Sequence, residues 1–320
     1  MLLLLAAALP ARAQPLSPAP IPWQDAAPMA VPFLQLPFEP PATVAPGHLQ
    51  LGVRTTYSNS IARTQSPDLS VSYHLETAQP TLALRLGLRD GLEVQLDLPA
   101  VAEVSPSFDA AIKDVESWFH TENRLRRVTV SRQAEFRLVR PDGRGTSFAG
   151  ARSGIGDVWL GAKGRIREQV GWVPALAWRA ALKLPTGTFP FGSGVVEGGL
   201  GLLAGADLGR THLWAVADVV VPDGPVSGAR LPTRPHPAFQ LAVGREVGSR
   251  AMLLLQGSTH GPALRYMHLS EIDGWTFYVL AGAQVTVTPS LSVSVGLVEN
   301  LLVTERGTDI AGVLDLSWRF

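Results

Sequence analysis

Two short stretches carry the side chains that could break bonds. Ser258-Thr259-His260 sets a hydroxyl near an imidazole, and Tyr57-Ser58-Asn59-Ser60 gathers further hydroxyls. The chemistry this suggests is ester hydrolysis, with His260 as base toward Ser258 or Ser58. A serine nucleophile needs such a base, and the base needs a third group to orient it. No motif fixes either serine, so Ser258 and His260 are weak catalytic candidates; one serine near one histidine arises often by chance. His236, His260 and His268 show no paired spacing of the kind that holds a metal, and a chain without cysteine has no thiolate site or disulfide. Neither a metal nor a cofactor is expected.

A larger set of polar side chains sits one at a time between apolar ones. Arg85, Glu93, Gln95 and Asp97 alternate with Leu84, Leu86, Leu92, Val94, Leu96 and Leu98. Asp157, Lys163, Arg165, Arg179 and Lys183 do the same among Val158, Leu160, Ala162, Leu176, Trp178 and Leu182. Glu197, Asp207, Asp218, Gln240, Glu246, Gln256, Gln284 and Asp315 continue the pattern. A period of two is the signature of a strand with one apolar and one polar face.

Such strands need an architecture that satisfies both faces. The 320 residues carry 27 Lys+Arg and 27 Asp+Glu, a balance that gives no footprint for nucleic acid. A charged fraction of 17% beside 31 Gly and 46% hydrophobic residues suits strands that show one face to lipid and the other to a polar interior. No apolar run after residue 13 approaches the roughly eighteen residues of a helical span. The chain opens Met-Leu-Leu-Leu-Leu-Ala-Ala-Ala-Leu-Pro-Ala-Arg-Ala, an export signal over residues 1–13 with cleavage after Ala13 and a basic start missing. Prolines then recur through residues 14–47, which rules out helix and central strand and reads as a periplasmic leader or a plug of the lumen. Val31, Phe33, Leu34, Leu36 and Phe38 give its second half something to dock with.

Over residues 48–320 the period-two segments alternate short connections with long ones. Asp90-Gly91, residues 169–171, Gly209-Arg210, Gly248-Ser249 and Thr288-Pro289-Ser290 are tight turns, and the connections between them are long. About twelve strands result, within a range of ten to fourteen, with every long connection on one side and both termini on the other. This is the arithmetic of an even-stranded transmembrane antiparallel up-and-down β-barrel. Closure is required because open strand edges in hydrocarbon would leave amides unsatisfied. The polar set listed above then lines the lumen, leaving an open path or a filled, ion-paired interior as alternatives. Trp23, Trp159, Trp178, Trp275, Trp318 and Phe320 are candidates for belts at the membrane interface. Ser258 and His260, like Ser58, fall at the outer ends of strands.

The longest connection, residues 105–153, holds one helical pattern. Behind Ser107 as N-cap, Phe108, Ala111, Ile112, Val115, Trp118 and Phe119 share a face over residues 108–120. The chain ends on Ile310, Gly312, Leu314, Leu316, Trp318 and Phe320 alternating with Ala311, Val313, Asp315, Ser317 and Arg319. This resembles the closing strand of a bacterial outer-membrane barrel, in which the barrel-assembly machinery reads a terminal aromatic; here Trp318 and Phe320 would serve. That strand should close on residues 48–58.

Leu84-Arg85-Leu86-Gly87-Leu88-Arg89-Asp90-Gly91-Leu92-Glu93-Val94, the helix with Trp118-Phe119-His120, Arg152-Ser153-Gly154-Ile155-Gly156-Asp157-Val158, Leu182-Lys183-Leu184-Pro185-Thr186-Gly187 and Trp318-Arg319-Phe320 together resemble an uncharacterised family of bacterial outer-membrane β-barrels known only as a domain of unknown function. The Glu103-Val104-Ser105-Pro106 stretch differs from the Gly-rich approach to the helix found there. The resemblance implies the outer membrane and the barrel fold, and it carries no catalytic residues. The partners expected are outer-membrane lipids, the assembly machinery and a small solute. The function expected is a passive or substrate-binding channel; the alternatives are a membrane-embedded lipid hydrolase and a structural or surface-interaction barrel with a filled lumen.

Overall fold

The computed structural model of the chain describes residues 17–109, 125, 133–301 and 307–320. The export signal over residues 1–13, and the expected helix from residue 110 on, lie outside the described residues. Twelve strands form the ring: β1 (Leu49–Gln65), β2 (Ser70–Arg89), β3 (Leu92–Val104), β7 (Trp159–Arg167), β8 (Ala175–Lys183), β9 (Glu197–Leu208), β10 (Thr211–Pro222), β11 (His236–Val247), β12 (Ala251–His260), β13 (Thr276–Thr288), β14 (Leu291–Asn300) and β15 (Ile310–Arg319). Each pairs antiparallel with the next, and β15 returns to β1 in a register running from Gln50↔Arg319 to Asn59↔Ile310. The sheet therefore has no edge within the ring, so each strand's amides have partners on both sides.

Three short strands, β4 (Glu135–Val139), β5 (Gly145–Ala149) and β6 (Arg152–Ile155), belong to the longest connection; β4 pairs with the start of β2 and β6 with the end of β3. A helical turn, α1 (Ser270–Asp273), lies in the connection before β13. At the opposite end the turns are tight. Gly91 adopts φ +70° behind Asp90, a conformation that an L side chain resists.

The alternation in sequence becomes two faces of one wall. Leu82, Leu86 and Leu88 on β2, Leu200 and Leu202 on β9, Leu253 and Leu255 on β12, and Leu314 on β15 are exposed on the outside. Arg85, Gln95, Lys163, Arg179, Lys183 and Asp315 alternate with these outer positions and are buried inside. A continuous exposed aliphatic band belongs in hydrocarbon rather than in water. Two of the aromatic residues expected at the interface turn inward instead. Trp159 is buried under the Arg85 guanidinium at 5.4 Å, and Trp23 packs edge-on against Tyr278 at 5.0 Å. Trp178, Trp275 and Phe320 remain on the outer surface.

The first hairpin is taller than the period-two pattern implied, with β1 running to Gln65 and β2 starting at Ser70. The extension keeps a polar side, Ser70, Ser72, His74 and Glu76, but His74 and Glu76 are buried against the start of the long connection, so both faces of the strand are covered there. Tyr73, Phe136 and Phe148 stack over it, with Leu69, Val71, Leu138, Leu231, Leu264 and Leu269 completing a core that sits above the ring.

The candidate functional site, a lumen occupied by the leader

Residues 17–47 run inside the ring. Near the short-turn end, Ser17 and Ala19 lie close to Gln50, Ser317 and Arg319. The limb rises past β12, where Gln256 Oε1 accepts from the Ile21 amide at 2.6 Å and Gln256 Nε2 donates to the Ile21 carbonyl at 3.1 Å. It turns at the long-loop end, where the amides of Ala30 and Val31 donate to the Ala27 carbonyl at 2.8 and 3.0 Å. The second limb descends to β1. Gln35 ties the limbs together: its Oε1 accepts from the Asp25 amide at 2.8 Å and its Nε2 donates to the Asp25 carbonyl at 2.8 Å.

A proline-rich chain cannot satisfy its own backbone, so the wall does it. On the way down the Leu34 amide donates to Glu197 at 2.7 Å, and Lys183 Nζ donates to the Pro32 carbonyl at 3.2 Å. Gln240 Nε2 donates to the Leu36 carbonyl at 3.1 Å and Arg179 to the Pro37 carbonyl at 2.7 Å. Lower still, the Val44 amide donates to Glu93 at 2.6 Å, and the Gly47 amide to the Gly87 carbonyl at 2.9 Å. A Cβ at position 87 would fall 2.1 Å from the Ala45 carbonyl oxygen, so only glycine lets the leader reach β2. Ile21, Trp23 and Phe38 fill the space between limbs and wall, against Leu203, Trp214, Met252, Leu254 and Leu280.

The charged residues that alternation placed inside do meet one another. Asp97 takes Arg54 at 2.7 Å and Arg85 at 2.5 Å. Lys163 lies 3.2 Å from Glu93, Arg179 holds Asp218 at 2.6 Å, and Lys183 lies 2.5 Å from Asp157 and 3.0 Å from Glu197. The leader adds one acid, Glu39, whose oxygens lie 3.0 Å from Lys163 and 3.0 Å from Arg179. Burial pushes the Glu39 carboxyl up, but Lys163, Arg179 and Arg85 outweigh it and hold the pKa at about 2. Asp315 is buried beside this network, directly across the β1–β15 pair from Arg54.

Three of the expected lumen residues stand at the short-turn rim, because each lies within two residues of its strand's end. Arg165 pairs with Asp90 and Glu168, and Asp207 and Glu246 flank His212 at 2.7 and 3.1 Å. Trp318 and Phe320 close the last strand; the Phe320 amide donates to the Leu49 carbonyl at 2.8 Å.

The hydrolytic candidates are separated by chemistry rather than by distance along the strand. His260 Nε2 lies 3.2 Å from Asp25 Oδ2, an orienting acid supplied by the leader. Burial raises the Asp25 carboxyl, and His260, Tyr278 and the Ala27 amide bring it below the ordinary value. Ser258 Oγ makes no hydrogen bond within the described residues, so the nucleophile is not joined to its base. Ser58 donates to the Ala26 carbonyl at 3.2 Å. His268 is at the surface against Asp68, and His236 is buried beside Phe33.

At the mouth, Glu76 accepts from the Ser107 amide and hydroxyl at 2.9 and 2.8 Å and from the Phe108 amide at 2.7 Å, while His74 Nε2 lies 2.7 Å from Asp109. Sequence reasoning passed over Glu39, Asp25, Glu76 and Arg54. Arg54 had a usable signal, since Gly52, Arg54, Thr56 and Ser58 share one parity of β1. Glu76 had one as well, on the parity of Ser70, Ser72 and His74 in β2; Asp25 and Glu39 had none, because the leader has no strand period to place them.

Solved structures of similar shape are outer-membrane barrels. The COG4313 outer membrane channel from Pseudomonas putida F1 is 17% identical, with 87% of this chain and 97% of that chain covered at a TM-score of 0.59. The NanC porin is 10% identical, covering 83% of this chain and 97% of its own at 0.47. A Pseudomonas aeruginosa FadL homologue is 10% identical, covering 96% and 99% at 0.40. No curated protein matches the chain. At these identities the likeness is one of fold. A family model described as a protein of unknown function, DUF3187, matches residues 1–320, and the chain belongs to that family.

Proposed function

We propose that the protein is an outer-membrane channel for small solutes whose path is closed by its own leader. One observation carries this reading. The buried lysines and arginines of the wall are paired without the leader: Arg54 and Arg85 with Asp97, Lys163 with Glu93, Arg179 with Asp218, and Lys183 with Asp157 and Glu197. Withdrawing residues 17–47 would strand no wall cation in a dry interior, where a lone charge costs several kcal/mol. It would uncover a lumen lined by both signs of charge. The leader behaves as a removable filling and the wall as a water-compatible path. Export after cleavage behind Ala13, both termini in the periplasm and recognition of Trp318 and Phe320 by the assembly machinery complete the proposal, with outer-membrane lipids against the exposed aliphatic band.

A second reading has support in the same observation: a barrel filled by its leader could serve as a structural or surface-interaction protein. Planar-bilayer recording separates them. The full chain is expected to conduct weakly, and the chain lacking residues 17–47 to conduct several times more. No conductance from either would leave the filled barrel. The lipid-hydrolase reading finds no such support, given the unbonded Ser258 hydroxyl.

A further inference from the structure

The inner wall changes character around the ring. Its Lys and Arg ion pairs inside the bore lie on β1 through β10, whereas the upper parts of β11 to β13 contribute Gln240, Ser258, Thr276 and Tyr278, with His260 set 3.2 Å from Asp25 of the leader. There a cavity opens between the wall and the turn of the leader, with about 1030 Å³ of empty space including its open mouth. Met29, Phe33 and Leu36 of the leader line it together with Val220, Leu264 and Ile272. A mainly apolar cleft with a few placed polar groups is the usual form of a small-molecule site.

Two of those polar groups are unused. Gln240 is 8% exposed; its Nε2 is engaged by the Leu36 carbonyl, but its Oε1 has no hydrogen bond within the described residues. The Ser258 hydroxyl has none either. They are not scattered: Gln240 and Ser258 are directly opposed across the β11–β12 pair and both line the cavity. Together they offer a carbonyl that wants a donor and a hydroxyl that can give or accept. The acids at the cavity are committed elsewhere. Asp25 accepts from the Ala27 amide at 2.9 Å, Tyr278 at 2.7 Å and Thr308 at 2.7 Å, and Asp218 is clasped by Arg179. His260 Nε2 also lies 3.2 Å from Asp25, so with Arg179 on Asp218 the described lining leaves no charged partner for an anionic guest, which would be buried unpaired.

We propose that this cavity binds a small, uncharged, largely apolar molecule bearing one hydroxyl, which donates to Gln240 Oε1 and accepts from Ser258. Because ten of the 26 lining residues belong to the leader, the occupied state is the one with the leader in place. The proposal holds whether or not solutes cross the pore, so conductance and binding are measured separately.

The test is titration calorimetry on the full chain in detergent, with a detergent blank, using benzyl alcohol, toluene and benzoate. Folding of each variant is checked by heat-modifiable electrophoretic mobility. Benzyl alcohol is expected to bind saturably and benzoate not to bind. Ser258→Ala, which removes only the hydroxyl, should weaken benzyl alcohol roughly five- to tenfold, the worth of one hydrogen bond, and leave toluene unchanged. Ala238→Phe, which fills the cavity, should abolish both. The proposal is overturned if benzoate binds as tightly as the alcohol, if Ser258→Ala leaves benzyl alcohol unchanged or weakens it and toluene alike, or if a folded Ala238→Phe chain binds as the native one does. Should Ala238→Phe fail to fold, the Ser258→Ala comparison decides alone.

Discussion

Glu39 is the side chain that ties the leader to the charged half of the wall, and its titration sets the conditions under which the tie holds. Its pKa falls from an ordinary 4.5 to about 2, so the stabilisation it gives is complete above about pH 4.5 and is lost as pH falls through about 2. The leader is therefore expected to stay docked at pH 5 and to loosen between about pH 4 and pH 2, read as rising bilayer conductance or protease cutting within residues 17–47. Glu39→Gln should bring the loosened behaviour to neutral pH, weakening the docked state by about 1–3 kcal/mol. Lys163 and Arg179 keep Glu93 and Asp218 in that variant, so the barrel itself should be untouched. The sequence disclosed which residues face inward, since Arg179 and Asp218 fall on the polar parity of their strands. It did not disclose that they meet, because pairing depends on register across β8, β9 and β10. Glu39 was illegible for another reason: it stands in a stretch whose prolines speak only of what cannot form.

At the scale of elements, the first hairpin does two jobs. Below Ser58 it is wall; above, it is the floor of the aromatic core made by Tyr73, Phe136 and Phe148. Glu76, on that upper part, anchors the start of the long connection through three hydrogen bonds. Glu76→Gln keeps the shape but loses acceptor strength at two amides and a hydroxyl, and should speed proteolysis within residues 105–153 without changing the mobility of the folded barrel. Phe136→Ala opens a large hole in a closed core and should cost about 3–5 kcal/mol locally, seen as faster hydrogen exchange over Asn59–Gln65 and Ser70–Thr77. The upper hairpin does alternate, with Ser70, Ser72, His74 and Glu76 against Val71, Tyr73 and Leu75; it stayed hidden because Ser66-Pro67-Asp68 reads as part of a long polar connection rather than as the tip of a tall hairpin. Trp159 and Trp23 were misplaced for a different reason. An aromatic residue signals an interface only when the other side of the wall is wet, and here the lumen is filled.

For the whole molecule, counting short and long connections was sufficient to give an even, closed ring, because closure leaves no freedom in which end each turn occupies. The content of the ring was not given by counting. A chain lacking residues 17–47 is expected to fold into the same barrel, since strand pairing and wall ion pairs are complete without it; unchanged heat-modifiable mobility would confirm this, and failure to refold would assign the leader a role in assembly. The course of the leader has one more consequence. Ser17 and Gly47 both lie at the short-turn end, and among the described leader residues it is the bend near Ala27 that reaches the other mouth. The described segment is thus a bight pushed into a tube rather than a thread passed through it. Residues 17–47 can be drawn out as a doubled loop toward the short-turn end, by the mouth through which both of their limbs pass.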